Sequence, residues 1–503
     1  MSSTNAIDYF CSLTKKTPIN FNQYIKYEYV FVLFFMIIFI LLDVHKRSHP
    51  HIKNSNKFAV FDFLYSIFNN RFHLFFRHQF EANPDQSIFK INLLLQDLIV
   101  ITDPEYIKHV CNNRPLKYTR IEGLIEGLNG CGKNVFSGEG SQWSHHRKVT
   151  ASQFNTFKLP KMEKPINQIV DRFVKKLETH TIEQPHQSVN FSKEVSSYTL
   201  DVLFKTGFGY DLNSIESGQV GTTPKIIKRL ECVMGNITKR CLSPFHYWKY
   251  YTTFTESKFN KFLDLVKDFK NHFIQQDYAI TEEAGLLHSL MVQMKQGLID
   301  DDEIYANMLC YIIAGHDTSS KAISYAIWYL AKHPDILQKV KKEVVDVLAN
   351  TENSYLSNKD IDKLQLLQQV LLESMRLKPL VSFILLECIE DDVVGDTEIY
   401  AGAQVVLTTE AVYRNAEYFP EPEEFKPERW EGVSFERCTD YNLFAFGYGP
   451  RMCPGRKMVR VQMLILFAKL IANFDIKLAE NSIELVDEHV FVLSPEGGLN
   501  SYN

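Results

Sequence analysis

The stretch Phe446-Gly447-Tyr448-Gly449-Pro450-Arg451-Met452-Cys453-Pro454-Gly455 limits what this chain can become more than any other. It sets one cysteine in a glycine-punctuated loop that runs straight into an apolar helical pattern. Gly447 and Gly455 permit backbone turns and close approach to a flat ligand. Pro454 and Gly455 start a helix just after the cysteine. The unpaired N–H groups and partial positive charge of a helix N-terminus stabilise a thiolate and lower its pKa. A thiolate presented this way can serve as the axial ligand of a haem iron, where it pushes electron density that favours O–O cleavage. Arg451 is placed to meet an anionic ligand edge as a bidentate donor. A loop cysteine that merely precedes a helix has the same local pattern, so other motifs must decide.

Four further segments bear on it. Asp300 and Glu303 read as a capping box opening a helix that His333-Pro334 stops near Lys332. Within it lies Ala314-Gly315-His316-Asp317-Thr318. Gly315 costs about 1 kcal/mol relative to Ala inside a helix, so it needs a reason; close approach of a flat ligand and dioxygen would supply one. Thr318 can bond back to the carbonyl four residues earlier and loosen the helix locally. Gln365 to Leu377 reads as a helix ended by Lys378-Pro379, with Glu373 and Arg376 paired on one face. Pro427-Glu428-Arg429-Trp430 adds a second arginine. From Ser141, a helix carries Trp143 and Arg147 on one side, an indole N–H and a cation suited to a carboxylate.

Taken together and in this order, these segments resemble the motifs of the cytochrome P-450 family. Phe446, Gly447, Gly449, Arg451, Cys453 and Gly455 fall at the positions of its haem-binding loop. Ala314 to Thr318 looks like its oxygen-activation motif. Glu373, Arg376 and Arg429 look like its buried ion network, and Trp143 and Arg147 like its haem-edge pair. The resemblance runs from about Pro50 to the end of the chain. It implies a mainly α fold with small β-sheets (α+β) and haem b held by Cys453. Asp317 and Thr318 would deliver protons, and the Glu373–Arg376–Arg429 network would brace the loop. There is one departure. The family usually carries an Arg on the strand after the Glu-x-x-Arg helix to hold a haem propionate, and none occurs here between Arg376 and Arg414. The clamp is then expected to rest on Arg451, Arg147 and Trp143.

Size and charge agree with an enzyme of this kind. The chain has 503 residues and 45% hydrophobic content, without a linker or repeat to divide it. Residues 51–503 are read as one catalytic domain and 1–50 as a membrane anchor. A net charge of -5 offers no basic field for nucleic acid. The nine cysteines are scattered and odd in number, which speaks against a disulfide framework. Tyr29 to Leu42 is an apolar run shorter than the ~20 residues that comfortably span a bilayer, although flanks from about Tyr24 to Val44 make a span feasible. An interfacial helix or a cleaved signal peptide are the other readings; no small-residue cleavage site follows the run. His45, Lys46 and Arg47 read as cytosolic, with Lys15, Lys16 and Lys26 on the opposite side. The family resemblance implies an endoplasmic-reticulum anchor with a cytosolic catalytic domain.

The expected reaction is insertion of one oxygen atom from dioxygen into a lipophilic substrate of the fatty acid, sterol or isoprenoid class. Electrons would come from NADPH through a separate cytochrome P-450 reductase. The apolar run Leu380 to Leu386 suits a pocket wall, and equally any buried strand. Arg456, Lys457 and Arg460, with Lys339, Lys341 and Lys342, are candidates to face the reductase, or simply a solvated face. Two other classes stay open. A reductase-independent haem-thiolate isomerase or dehydratase commonly lacks the acid–alcohol pair that Asp317 and Thr318 provide, and a non-catalytic haem sensor would need no proton relay.

Overall fold

The computed structural model describes His49 and residues 51–502, apart from 56–61, 64, 67–70, 94–96, 129, 152–153, 155–158, 185–186, 218–224, 243–246, 251–253, 276–284, 480–483, 491 and 496–499. The expected anchor lies outside these residues, and no described helix is long and apolar enough to cross a membrane. The fold is mostly helical with small sheets.

The helices that position the site are α1 (Phe72–Glu81), α2 (Pro104–Asn112), α3 (Gly140–Ala151), α4 (Phe191–Phe208), α5 (Asp301–Lys332), α6 (Gln365–Leu377) and α7 (Arg456–Asn473). Three of their boundaries have a clear chemical cause. Asp103 accepts from the N–H groups of Glu105 and Tyr106 at 2.8 and 3.1 Å, with Pro104 at the first helical position of α2. At the start of α5, Asp300 accepts from Glu303 N–H at 2.8 Å and Glu303 accepts from Asp300 N–H at 3.0 Å, the expected capping box. Helix α6 stops at Leu377, as the following Lys378-Pro379 requires.

The larger sheet has the order β1-β2-β5-β4-β3, from β1 (Ile88–Asn92), β2 (Asp97–Ile101), β3 (Tyr118–Arg120), β4 (Phe383–Cys388) and β5 (Gln404–Thr408). Strand β4 lies antiparallel to β5 on one side and to β3 on the other, in a register that sets Arg120 opposite Leu386. A hairpin of β6 (Asp487–Val490) and β7 (Val492–Pro495) approaches the same region, where Leu493 N–H donates to Leu380 O at 2.9 Å.

The core is continuous through α5, α6 and α7. Ile323, Leu371 and Leu466 are all fully buried, and complete burial of one such side chain stabilises by roughly 1.5–3 kcal/mol. Helix α5 runs unbroken through its middle, and Thr318 bonds back to the Ala314 carbonyl as expected. At Gly315 a side chain from another helix comes close. A Cβ there would fall 2.7 Å from Cδ1 of Leu203 on α4, so the glycine admits a neighbouring helix's side chain.

Candidate functional site

Local hydrogen bonds shape the cysteine loop. Gly447 N–H donates to Phe444 O, Met452 N–H to Gly449 O, and Cys453 N–H to Phe446 O at 2.8 Å. Gly449 has φ +69°, and a Cβ there would sit 2.8 Å from the Cys111 carbonyl oxygen of α2, backbone that cannot yield. Phe446 packs against Phe435 with ring centroids 5.5 Å apart. Helix α7 begins at Arg456 with Gly455 as its N-cap.

All eight described cysteines are free, and among them only Cys453 is exposed. Although the residue keeps an open face, the protein packed around its sulfur desolvates the thiol and pushes it up, while the N–H groups of Gly455 and Arg456 and the charges of Arg147 and Arg456 pull it down. The net direction is upward, against the sequence expectation. Desolvation by the surrounding fold outweighs the helix N-terminus, even though the predicted N–H donors do reach the sulfur.

Across from the loop, Cys310, Ala314 and Thr318 stand at successive turns of α5 on a stretch that stays at least partly accessible, with Ala314 exposed. Cys310 feels both Cys453 and Arg120 electrostatically, so this stretch faces the cysteine loop. Thr318 Oγ1 donates to Ala314 O at 2.7 Å. Asp317, next to it, is held by Lys321 Nζ at 2.8 Å. Glu231, from the helix Lys225–Leu242, lies near this pair; burial first, then Asp317, raises its carboxyl. Nothing in its local sequence singled Glu231 out.

The brace is complete. Arg376 and Glu373 are fully buried, joined through Nε–Oε2 at 2.9 Å and Nη2–Oε1 at 2.8 Å. The remaining Arg376 donors reach the carbonyls of Tyr413, Pro422 and Glu424. Glu373 also accepts from Arg429 Nε at 3.2 Å, Trp430 Nε1 at 2.9 Å and Lys426 N–H at 3.0 Å. The Tyr413 hydroxyl accepts from Phe444 N–H at 2.8 Å, which carries the network to the base of the cysteine loop.

The cationic edge is larger than the sequence suggested. Arg451 stacks over the Trp143 ring at 4.6 Å, donates to Gly138 O at 2.8 Å and pairs with Glu139. Arg120 of β3 donates to the other oxygen of Glu139 at 2.6 Å. Arg114, buried beside them, joins Arg120 and Arg451 near this carboxylate, and Arg147 of α3 lies near Arg451 to make a group of four arginines. Burial and then the neighbouring Arg120 bring Arg451 down to about 9 and Arg114 to about 10. Arg451 Nε and Nη1 and Arg114 Nε are buried without hydrogen-bond partners. Arg120 and Arg114 went unnoticed because no local spacing marks them. The pairing of β3 with β4 brings Arg120 beside the strand that lacks the usual arginine.

This arrangement fits haem b. Its two propionates, with the Cys453 thiolate and Glu139, would balance the four arginines, and the orphaned guanidinium N–H groups would find acceptors. Among the surface cations, Arg460 is buried and bonded to Gln368 and Asp362, so it cannot face a partner. Lys341 pairs with Asp475 at 2.8 Å, while Lys339 and Lys342 are exposed.

A family model described as Cytochrome P450 matches residues 55–500. Probable cytochrome P450 6d4 of Drosophila melanogaster is 24% identical over 453 residues, covering 82% of this chain and 85% of that protein. Cytochrome P450 3A13 of Mus musculus is 26% identical over 427 residues, covering 80% and 82%. Cytochrome P450 3A12 of Canis lupus familiaris is 27% identical over 417 residues, covering 80% and 81%. With a match that takes in the loop, the long helix and the ion network together, the chain belongs to the cytochrome P450 family and is a monooxygenase oxidoreductase that uses haem b, with NADPH-derived electrons reaching it through a reductase.

Proposed function

We propose that this chain is a membrane-anchored haem-thiolate monooxygenase acting on a lipophilic substrate of the fatty acid, sterol or isoprenoid class. The observation that carries the reading is Cys453, the exposed cysteine among those described, with two helix-start N–H groups on its sulfur. In this reading the Cys453 thiolate would ligate the haem iron, and Arg451, Arg147, Trp143, Arg120 and Arg114 would hold the propionates. Phe446, Gly447 and Gly455 shape the loop. Haem b, when bound, supplies dioxygen activation. Thr318, anchored to Ala314 O, keeps its lone pairs free to order a water. Asp317 hands on protons from the side where Lys321 and Glu231 lie.

Residues 1–50 form the single-pass anchor in the endoplasmic-reticulum membrane, with 51–503 as the cytosolic catalytic domain. The separate NADPH-cytochrome P-450 reductase docks on a face that includes Lys339, Lys342 and Lys457, without Arg460.

The test is the reduced, carbon-monoxide-bound absorption spectrum of the purified protein beside its Cys453→Ala variant. A red-shifted thiolate-type Soret band, lost in the variant, is the expected result. A band typical of histidine-ligated haem, or one that survives in the variant, would overturn the ligand assignment.

A further inference from the structure

Glu231 stands on the helix Lys225–Leu242 where that helix packs over α4 and α5. Leu230 and Val233 beside it share a buried cluster with Leu200 and Leu203 of α4 and Ile312 of α5. Leu203 in turn reaches over Gly315, two residues before Asp317. This packing brings Glu231 within electrostatic reach of Asp317 and Lys321 on α5 and of Lys193 at the start of α4. Its own helix adds Lys228, one turn back on the same face. One turn further on that face stands Gly235, where a Cβ would meet nothing within 4 Å. A glycine weakens a helix interior, and this one leaves the flank of Glu231 open to water.

Two carboxylates here gather about one ammonium. Lys321 Nζ donates to Asp317 Oδ2 at 2.8 Å, with the side chains 19% and 14% exposed. From the hairpin side, His489 of β6 also lies near Lys321 and stacks on His73 of α1, ring centroids 6.1 Å apart. Burial brings His489 down to about 3, so at neutral pH it carries no charge into the group. Although Glu231 keeps an open face, the protein packed around its carboxyl desolvates it. That burial first, then Asp317, raises the carboxyl, against the opposing pull of Lys321, Lys193 and Lys228. An ordinary surface glutamate is ionised at neutral pH and has no proton to give. A raised carboxyl, wet on one side and facing a half-buried acid on the other, can both load and deliver one.

Resting on the reading of Asp317 and Thr318 as the proton relay, we propose that Glu231 is the solvent-side member of that relay. It takes a proton from bulk water and passes it, through an intervening water, to Asp317. The Glu231 O–H bond breaks, a carboxylate oxygen of Asp317 gains the proton, and bulk water reprotonates Glu231; no electron moves. Lys321 keeps the exchange balanced. As Asp317 becomes neutral its hold on the ammonium weakens, and the newly formed Glu231 carboxylate takes that hold over. Negative charge thus crosses from one side of a cation to the other, and no charge is left stranded. Asp317 then gives the proton to the water that Thr318 orders. Glu231 acts only through Asp317 and touches neither substrate nor haem.

The experiment drives the haem-loaded full chain and its reductase with NADPH and measures how consumed oxygen divides between water and hydrogen peroxide. It is run from mildly acidic to mildly alkaline pH on Glu231→Gln, Glu231→Asp, Asp317→Asn and the double variant Glu231→Gln/Asp317→Asn. Glu231→Gln should lower the water-to-peroxide ratio about tenfold at neutral pH. It should also flatten the fall of that ratio with rising pH, because the carboxyl that loses its proton is gone. Glu231→Asp should keep most of the ratio. Asp317→Asn should lower it at least as far, and adding Glu231→Gln to it should change nothing more, since two groups in series fail together. An unchanged ratio in Glu231→Gln, or losses that multiply in the double variant, would overturn the assignment of Glu231. No effect of Asp317→Asn would overturn the relay on which it rests, so the two failures are told apart. The carbon-monoxide spectrum of Glu231→Gln should match that of the unsubstituted protein, as befits a residue remote from the thiolate.

Discussion

Two buried arginine clusters flank the cysteine loop and are built on opposite principles. Around Glu373, Arg376 satisfies its donors with one carboxylate and three carbonyls, and the carboxylate accepts from four different residues. In the cluster that holds Glu139, four arginines accompany one acid, two of them hold buried N–H groups without partners, and burial drags Arg451 and Arg114 down. A self-satisfied cluster gains nothing by binding a further anion. A cluster with excess charge and idle donors is built to receive one. Within one molecule, hydrogen-bond satisfaction thus separates a brace from a binding edge, although both are written with the same residue types.

The largest effect should follow from breaking the brace. Glu373→Ala strands Arg376, Arg429 and Trp430, and removing one partner of a buried pair costs ~3–5 kcal/mol. Arg376→Ala also unties the Tyr413 carbonyl, and through that residue the hold on Phe444. Either variant should fail to incorporate haem, read from the Soret absorbance per protein. Normal haem content in either would mean that the loop stands without its brace.

The binding edge should respond differently. Arg120→Leu is expected to weaken haem binding about tenfold or more, because one cation is lost and Glu139 then draws on Arg451 alone, at the expense of the propionates. The double variant Arg120→Leu/Glu139→Leu should recover part of that loss. No pairwise substitution at the brace should show such rescue, since each partner there holds several others. Haem titration of the apoprotein checks both; equal losses in single and double variants would erase the contrast between the clusters.

Legibility followed locality. The capping box at Asp300 and Glu303, the Glu373–Arg376 spacing and the loop around Cys453 are each encoded within a few residues, and the structure builds them as read. Arg120, Arg114, Glu231 and the His73–His489 pair are brought together by strand pairing and helix packing across long separations, so no periodicity marks them. Gly315 shows a subtler limit. Its cost to the helix was plain from sequence, but the group it admits, Leu203, belongs to another helix. Arg460 was misplaced for a related reason. Its run of basic neighbours suggested a surface, whereas α7 turns this one inward to Gln368.

The smallest effect separates the clusters from the histidines by pH. His73 and His316 titrate at about 4 and His489 at about 3 in the folded chain, each depressed chiefly by burial. In the unfolded chain a histidine titrates near 6.5. Between those values the unfolded state holds more protons, so stability is full above about 6.5 and falls as pH drops toward 4. One such group contributes up to about 1.4 kcal/mol per pH unit in that window. Buried carboxyls that burial raises, Asp201 and Glu410 among them, act in the opposite sense. The useful readout is therefore the difference between the unsubstituted protein and His489→Phe, followed by denaturant midpoints from neutral pH to about 5. The variant should lose less stability on acidification. Arg120→Leu should leave the slope unchanged, because it keeps both imidazoles in place and Arg451 beside it titrates at about 9. A slope that moved with Arg120 and ignored His489 would place the acid sensitivity at the binding edge.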